Sequence, residues 1–235
     1  MYLNKNLVIA VCLVFTSLTL ITSNSKAIEP EKEKKPNIIL INIDDMGWRD
    51  VGFMGSKYYE TPNIDKLAGK GMIFTNAYAA AANCAPSRAC LMSGEWPQRH
   101  GIYTVGNSDR GKSKNRKLIP ITNTVTLPAN TLVFPELLHK AGYITCQAGK
   151  WHLSDSPLQF GFDQTIGGNH TGHPKSYYPP YKNVFFDEPI KEEYLTNLIM
   201  DKTLDFIKSV SDQPFFLYYA PYAVHTPLQP IKNLL

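Results

Sequence analysis

Residues 84–94 concentrate the residue types that could do chemistry in this chain. They read Cys-Ala-Pro-Ser-Arg-Ala-Cys-Leu-Met-Ser-Gly. Pro86 suits the first position of a helix, where its missing N–H costs nothing. We therefore expect Cys84 at a helix N-terminus, where free backbone N–H groups favour an anion, with Arg88 about one turn later. The segment predicts a reactive sulfur, an anion site and a fixed cation side by side, whereas the plainer alternative is a buried cysteine at a helix cap.

Two adjacent acids, Asp44 and Asp45, follow the near-continuous apolar run of residues 37–43. The run predicts a strand buried on both faces of a parallel sheet, and ligand sites in such sheets gather at the carboxyl ends of strands. Neighbouring carboxylates repel each other unless a cation compensates, and hard oxygen ligands suit Ca²⁺, with Mg²⁺ as the alternative. The pair therefore predicts a metal site, and a turn or helix cap is the competing interpretation.

Two further groups of functional side chains also follow predicted strands. Lys150 and His152 come after the strand predicted for residues 142–149, and their spacing of two places them on one side, as an anion clamp or proton relay. His225 follows the strand predicted for residues 214–220 and precedes a Thr-Pro turn. Both groups are therefore expected at the edge of the sheet where the acids lie.

The remaining pattern predicts the elements that must hold these side chains. Helical spacing or caps mark 61–68, 132–140 and 192–210, a further strand is predicted at 72–78, and residues 106–128 form a long polar loop. Alternating strands and helices over this length indicate one α/β sandwich domain.

Four motifs together resemble the sulfatase family, of the formylglycine-dependent, arylsulfatase-like type within the alkaline phosphatase superfamily. They are Cys-x-Pro-Ser-Arg-x-x-Leu-Met-Ser-Gly at 84–94, Asn-Ile-Ile-x-Ile-x-x-Asp-Asp-Met-Gly-Trp at 37–48, Gly-Lys-Trp-His-Leu at 149–153 and His-Thr-Pro at 225–227. The likeness runs from about residue 36 to residue 230. It implies an alkaline-phosphatase-like sandwich with a mostly parallel central sheet between helices.

The resemblance also implies a role for each motif residue. An enzyme oxidises the cysteine of the family motif to formylglycine, so a formylglycine-generating enzyme is an expected partner. Asp44, Asp45 and the converted Cys84 would hold Ca²⁺, and Arg88 would hold sulfate oxygens. Lys150 would bind sulfate, His152 would regenerate the aldehyde, and His225 would contact sulfate and protonate the leaving oxygen. Ser154 departs from the family pattern, which usually has glycine there.

Substrate contacts are expected from the irregular segment 154–190, which is rich in Gly, Pro, His, Asn and Tyr. Asn169 and His170 are candidate sulfate contacts, and Lys175 with its neighbouring tyrosines is a candidate sugar contact. The alternative is a loop packed on its own aromatic rings. The expected substrate is a sulfated carbohydrate or an aryl sulfate.

Residues 1–27 have the features of a signal peptide. Lys5 gives a positive start, residues 7–21 are apolar, and Ser-Lys-Ala at 25–27 is a small-x-small cleavage site. The apolar run is short for a membrane span, so no stable span is expected after cleavage, and a retained N-terminal anchor is the alternative. The chain is therefore expected to be exported, to the periplasm or the exterior.

The rest of the chain divides into a charged linker, residues 28–36, and the N-terminal portion of a sulfatase catalytic domain, residues 37–235. The net charge of +4 falls close to neutral without the leader, which argues against nucleic acid as a partner. Besides Cys84, the cysteines of this portion are Cys90 and Cys146, which are expected as two buried thiols rather than a disulfide.

Members of the family are longer than this chain, and the resemblance implies that the C-terminal part of the fold is missing. That part brings an Asp-Asn pair that completes the Ca²⁺ shell, and a further lysine on the sulfate. Three functions remain open: a sulfuric ester hydrolase, a phosphodiester or phosphonate monoester hydrolase of the same superfamily, and a catalytically inactive binder of sulfated glycans.

Overall fold

A computed structural model describes residues 34–184, 186 and 193–231. The predicted signal peptide, residues 1–27, and most of the predicted linker lie outside the described residues. The chain divides into the unit Met1–Lys35 and the unit Pro36–Leu235, and the architecture below is that of the second unit.

The described residues form a four-stranded sheet in which every pair of neighbouring strands is parallel. The strands are β1 (Ile38–Ile41), β2 (Ile144–Gly149), β3 (Gln164–Ile166) and β4 (Phe215–Ala220), in the spatial order β1-β4-β2-β3. Three of them confirm strands predicted from apolar runs, and β3 was not predicted.

The strand predicted for residues 72–78 is wrong. That segment has no regular secondary structure, and Met72 and Phe74 are 78% and 74% exposed. Its β-branched and aromatic residues match strand propensity, but propensity takes effect only where a neighbouring strand or core covers the side chains.

The core lies on both faces of β4. Phe216 and Tyr218 point to one apolar cluster, while Leu217 and Tyr219 point to the other, so the period-two alternation buries every residue of the strand. Edge strand β1 differs from this pattern and from the prediction of two buried faces. Its residues Ile39 and Ile41 are each 51% exposed.

Helices cover both faces of the sheet, which confirms the predicted sandwich. The α-helices of the described residues are α1 (Pro62–Ala68), α2 (Cys84–Ser93), α3 (Pro97–His100), α4 (Phe134–Lys140) and α5 (Leu195–Ser209), of which α2, α4 and α5 pack in the two clusters on the sheet. Helix α5 buries Leu195, Ile199 and Phe206 at helical spacing against one face of the sheet. Helices α2 and α4 pack in the cluster on the other face.

Parallel strands bring their carboxyl ends to one edge of the sheet, and hydrogen bonds hold those ends together. The N–H of Asn42 donates to the carbonyl of Tyr219 (3.0 Å), and the N–H of Lys150 donates to the carbonyl of Ala220 (2.7 Å). Gly149 is required here, because its φ is 92° and a Cβ would collide with the carbonyl of Ala220.

Cys90 and Cys146 are free and buried, in agreement with the expectation of two thiols. The Cys90 sulfur lies 3.4 Å from Nε2 of His100, which is also buried. Among the helices of the described residues, none has the length and hydrophobicity of a membrane span.

Candidate active site

Four of the predicted functional residues open onto one cavity of about 450 Å³ at the carboxyl edge of the sheet. Its lining residues are Asp45, Ala82, Asn83, Cys84, Val105, His152, Gly172, His173 and His225. A larger cavity of about 670 Å³ lies between β3 and α5. Among the predicted site residues, only Asn169 lines it. Because the nucleophile candidate and both histidine candidates share the smaller cavity, we take that cavity as the candidate active site.

Cys84 is the first residue of α2, two residues earlier than the predicted start at Pro86. The first helical hydrogen bond runs from the N–H of Ser87 to the carbonyl of Asn83 (3.0 Å). The N–H groups of Cys84 and Ala85 therefore have no partner within the helix, and Pro86 has no N–H to leave unpaired. The half-buried thiol lies where the helix favours negative charge.

Asp44, Arg88 and Lys150 are not among the lining residues of this cavity. They form a cluster in which two buried cations share one carboxylate. Arg88 is 2% exposed and Lys150 0%, and both contact Oδ2 of Asp44, the arginine at 3.2 Å. Arg88 also donates to the carbonyl of Lys150 (2.6 Å) and to the hydroxyl of Tyr218 (3.1 Å). Burial alone would raise the pKa of Asp44, but Arg88 and Lys150 outweigh it and leave the pKa below its usual value. The cluster therefore holds one more positive charge than negative.

Asp45 points away from these cations, towards His225. Its backbone is left-handed (φ 61°), its side chain is 52% exposed, and its Oδ2 lies 3.3 Å from Nε2 of His225. The other ring nitrogen, Nδ1, lies 3.0 Å from the carbonyl of Thr226 and 3.2 Å from the hydroxyl of the same residue. Because the carbonyl can only accept a hydrogen bond, we assign a proton to Nδ1. The hydroxyl of Tyr177 donates to the carbonyl of His225 (2.9 Å). His225 therefore turns Nε2 towards the cavity.

His152 has a left-handed backbone conformation (φ 65°). Contacts of its N–H and of its ring hold the residue in place. Its N–H donates to the carbonyl of Asn169 (2.9 Å), and a Cβ at Gly172 would lie 2.5 Å from its ring carbon Cε1. Nδ1 of His152 is buried with no hydrogen-bond partner among the described residues. Burial lowers the pKa of His152 to about 4, with Lys150 and Arg88 adding to the effect. The ring is neutral at physiological pH and can accept a proton.

This lowered pKa predicts a loss of stability in mild acid. The unfolded chain binds a proton at His152 near the ordinary histidine pKa of 6.5, but the folded protein does so only near 4. Stability contributed by the neutral ring is therefore complete above pH 6.5 and is lost as the pH falls towards 4. Between pH 7 and pH 5 the loss should be about 2 kcal/mol.

Urea unfolding of the parent and of His152→Asn at both pH values measures this contribution. Asparagine tolerates the left-handed backbone and does not titrate. The other titratable groups are common to both proteins, so the fall in unfolding free energy should be smaller in the variant by about the same 2 kcal/mol. Equal falls in the two proteins would contradict the lowered pKa.

The three predicted substrate contacts of the loop lie outside the lining of this cavity. The amide nitrogen of Asn169 donates to the carbonyl of Asn183 (3.0 Å), so its side chain ties the loop together. His170 is 68% exposed and pairs with Asp155 (3.1 Å), and Lys175 is exposed. The structure brings Lys150 and His225 close to Asp44 and Asp45 but does not bring these three residues to them.

Sequence reasoning missed His173 and Gly172, which supply the loop side of the cavity. The His173 ring stacks on that of His225, with centroids 5.2 Å apart and planes 9° from parallel. Burial lowers the pKa of His173, with further lowering from His225 and Lys150, so this ring is neutral at neutral pH. The segment stood out by composition, but composition does not tell which of its histidines faces inward.

Ser154, the departure from the glycine of the motif, makes two hydrogen bonds within the turn. Its hydroxyl accepts from Nε1 of Trp151 (2.8 Å) and donates to the carbonyl of Ser156 (2.9 Å). The substitution therefore closes the turn after His152 without adding or removing a group that faces the cavity.

The described residues meet only part of what Ca²⁺ requires. The carboxylates of Asp44 and Asp45 have suitable oxygen chemistry, but Ca²⁺ takes about six to eight ligands. No cluster of three or more acidic, histidine or cysteine side chains is arranged to hold a metal in the part of the chain that the structure describes. These carboxylates alone do not make a complete calcium site.

Comparison with known protein families gives the class of this protein. The family model described as Sulfatase matches residues 36–234. The chain therefore belongs to the sulfatase family.

Two curated relatives are similar to most of this chain. N-acetylgalactosamine-6-sulfatase of Homo sapiens is 36% identical over 226 residues, which cover 85% of this chain and 41% of the relative. Arylsulfatase G of Homo sapiens is 32% identical over 240 residues, which cover 86% of this chain and 43% of the relative. The chain thus spans about two fifths of the length of these relatives.

Solved structures agree with the fold. Ps i-CgsB in complex with k-i-k-neocarrahexaose is 36% identical with a TM-score of 0.66, over 85% of this chain and 48% of that one. BT4656, in complex with its substrate D-glucosamine-2-N,6-O-disulfate, is 30% identical with a TM-score of 0.65, over 84% of this chain and 36% of that one. The mostly parallel sheet between helices is the alkaline-phosphatase-like fold of these sulfatases.

Proposed function

We propose that this protein is a sulfuric ester hydrolase that removes sulfate from a sulfated carbohydrate or an aryl sulfate. The observation that carries the proposal is the shared cavity of Cys84, His152 and His225, with the buried cations Arg88 and Lys150 close enough to His152 to lower its pKa. The names of the relatives, which include sulfatases of aryl and amino-sugar sulfates, support the same chemistry.

The buried cations suit the charge that develops during cleavage of a sulfate monoester. Negative charge accumulates on oxygen, and fixed positive groups in a water-poor site stabilise it. Arg88 and Lys150 together exceed the charge of Asp44 by one, and their hydrogen bonds hold them in place. We assign Arg88 and Lys150 to binding and orienting the sulfate oxygens.

Cys84 fits the modification that the family motif implies. Its thiol is free, half-buried and open to the cavity, so the converted side chain would meet a substrate there. Conversion to formylglycine would supply an aldehyde hydrate, a nucleophile whose second hydroxyl gives a route for releasing the sulfate. A plain thiol has no such route.

The two histidines divide the proton transfers. His152 is neutral and faces the cavity beside Cys84, so we assign it as the base that accepts a proton during sulfate release. His225 turns Nε2 to the cavity with Asp45 beside it, so we assign it to sulfate contact and to protonation of the leaving oxygen.

Asp44 and Asp45 are the ligands that this chain would offer to Ca²⁺, with Mg²⁺ as the alternative, and further ligands must complete the shell. Positive charge at that point would favour the anionic substrate and nucleophile. The predicted signal peptide supports a site of action in the periplasm or outside the cell, where sulfated glycans would be met.

Two measurements test the proposal. Sulfate release from 4-nitrophenyl sulfate should exceed release of nitrophenol from bis(4-nitrophenyl) phosphate, and the reverse order would favour the phosphodiesterase alternative. Intact mass of the peptide that contains Cys84 should be lower than the thiol form by the exchange of sulfur for oxygen and the loss of two hydrogens. An unmodified thiol in protein that nonetheless releases sulfate would contradict the proposed nucleophile.

The partial calcium shell favours one second candidate, a binder of sulfated glycans without turnover. Retained binding of a sulfated oligosaccharide with no sulfate release, in protein whose Cys84 conversion is confirmed by mass, would select it over the hydrolase.

A further inference from the structure

His173 and His225 both line the cavity, and their rings stack on each other. The two imidazole planes are 9° from parallel and their centroids are 5.2 Å apart, within the range of about 4.5–7 Å for aromatic pairs. Each ring therefore faces the other, which restricts how far either ring can tilt towards its neighbour.

Asn183 anchors the loop that carries His173, through hydrogen bonds to residues before it, after it and at His173 itself. The amide nitrogen of Asn183 donates to the carbonyl of His173 (2.9 Å), and its amide oxygen accepts from the N–H of Lys175 (2.8 Å). The carbonyl of Asn183 accepts from the side chain of Asn169 (3.0 Å). His173 is therefore presented by a cross-linked loop.

The contacts of His225 fall into two kinds. The carbonyl oxygen of Thr226 lies 3.0 Å from Nδ1, and Oδ2 of Asp45 lies 3.3 Å from Nε2, so these partners contact the ring nitrogens. The ring of His173 contacts the face of the His225 ring and sets its tilt. Together they fix the direction in which Nε2 points.

We propose that His173 is a positioning residue for His225, which aims Nε2 at the oxygen of the leaving alcohol. This inference rests on the proposed sulfatase function. In the step concerned, the nucleophile derived from Cys84 forms a bond to sulfur through its oxygen while the bond from sulfur to the alcohol oxygen breaks. The electron pair of the broken bond stays on the alcohol oxygen and takes the Nε2 proton of His225, which enters the step with a proton on each ring nitrogen. The neutral alcohol leaves, and His225 is left with its proton on Nδ1.

The value of this positioning depends on the leaving group. A nitrophenolate is a stable anion and leaves without a proton, whereas a sugar alkoxide is strongly basic and needs one in the transition state. His173 thus adapts the site to sulfate esters of alcohols, such as the hydroxyls of carbohydrates.

Steady-state kinetics on two esters test the inference, with glucose 6-sulfate as the alcohol ester and 4-nitrophenyl sulfate as the aryl ester. His173→Ala should lower kcat/KM on glucose 6-sulfate by about 10- to 100-fold, with the loss in kcat, because misplacement of a proton donor costs rates of this order. On 4-nitrophenyl sulfate the same variant should stay within about threefold of the parent.

Two further variants separate stacking from other effects. His173→Phe keeps an aromatic face and should restore most of the loss on glucose 6-sulfate, while His139→Ala removes an exposed histidine on α4 and should leave both rates unchanged. Equal losses on both esters, or a phenylalanine variant as impaired as the alanine variant, would overturn the role of His173 alone. A parent that releases sulfate from neither ester would overturn the proposed function and this inference with it.

Discussion

Replacement of Cys84 by alanine is expected to abolish sulfate release, with a fall in kcat of about 10⁴-fold or more. Alanine at this position keeps the start of α2 but lacks the thiol group that the proposed conversion to formylglycine oxidises, so the proposed nucleophile cannot form. Arg88, Lys150 and the histidines would remain in place, so the variant should still bind a sulfated ligand. Loss of turnover with binding retained is the expected signature, measured by sulfate release and by calorimetry with the same ester.

The chain offers a matched control for that result. Cys146 is a free and fully buried thiol in β2, packed in the apolar cluster on the α5 side of the sheet. Cys146→Ala should keep the parent's turnover. Cys84→Ser is informative in another way, because its activity depends on whether the maturation system of the expression host converts serine. Sulfate release by Cys84→Ala at the parent's rate would exclude this residue as the nucleophile.

The sequence predicted that several candidate site residues would lie near one edge of the sheet because most of them follow strands. Apolar runs mark β1, β2 and β4, and parallel strands must end at a common edge, so Asp44, Lys150 and His225 could be expected together. The directions of side chains could not be predicted in the same way. The left-handed backbone of Asp45 separates two adjacent acids that look equivalent in the sequence.

Predictions also failed where long-range partners decide the outcome. Residues 72–78 and the outer face of β1 have strand-like apolar patterns, but whether a pattern is buried depends on what packs against it. His173 was missed for a related reason. Its contact with His225 joins two residues far apart in the chain, and no local spacing rule reports such a pair.

Replacement of Asp44 by asparagine is expected to destabilise the fold by about 3–5 kcal/mol, because it leaves buried positive charges without their counter-ion. Arg88 and Lys150 are almost completely inaccessible and both contact the same oxygen of Asp44. Asparagine has nearly the same shape, so the cost comes from charge and not from packing. Asp45→Asn is the matched control, since Asp45 is 52% exposed and should cost no more than about 1 kcal/mol. Urea unfolding at neutral pH measures both, and equal effects of the two substitutions would show that Asp44 does not neutralise the buried cations.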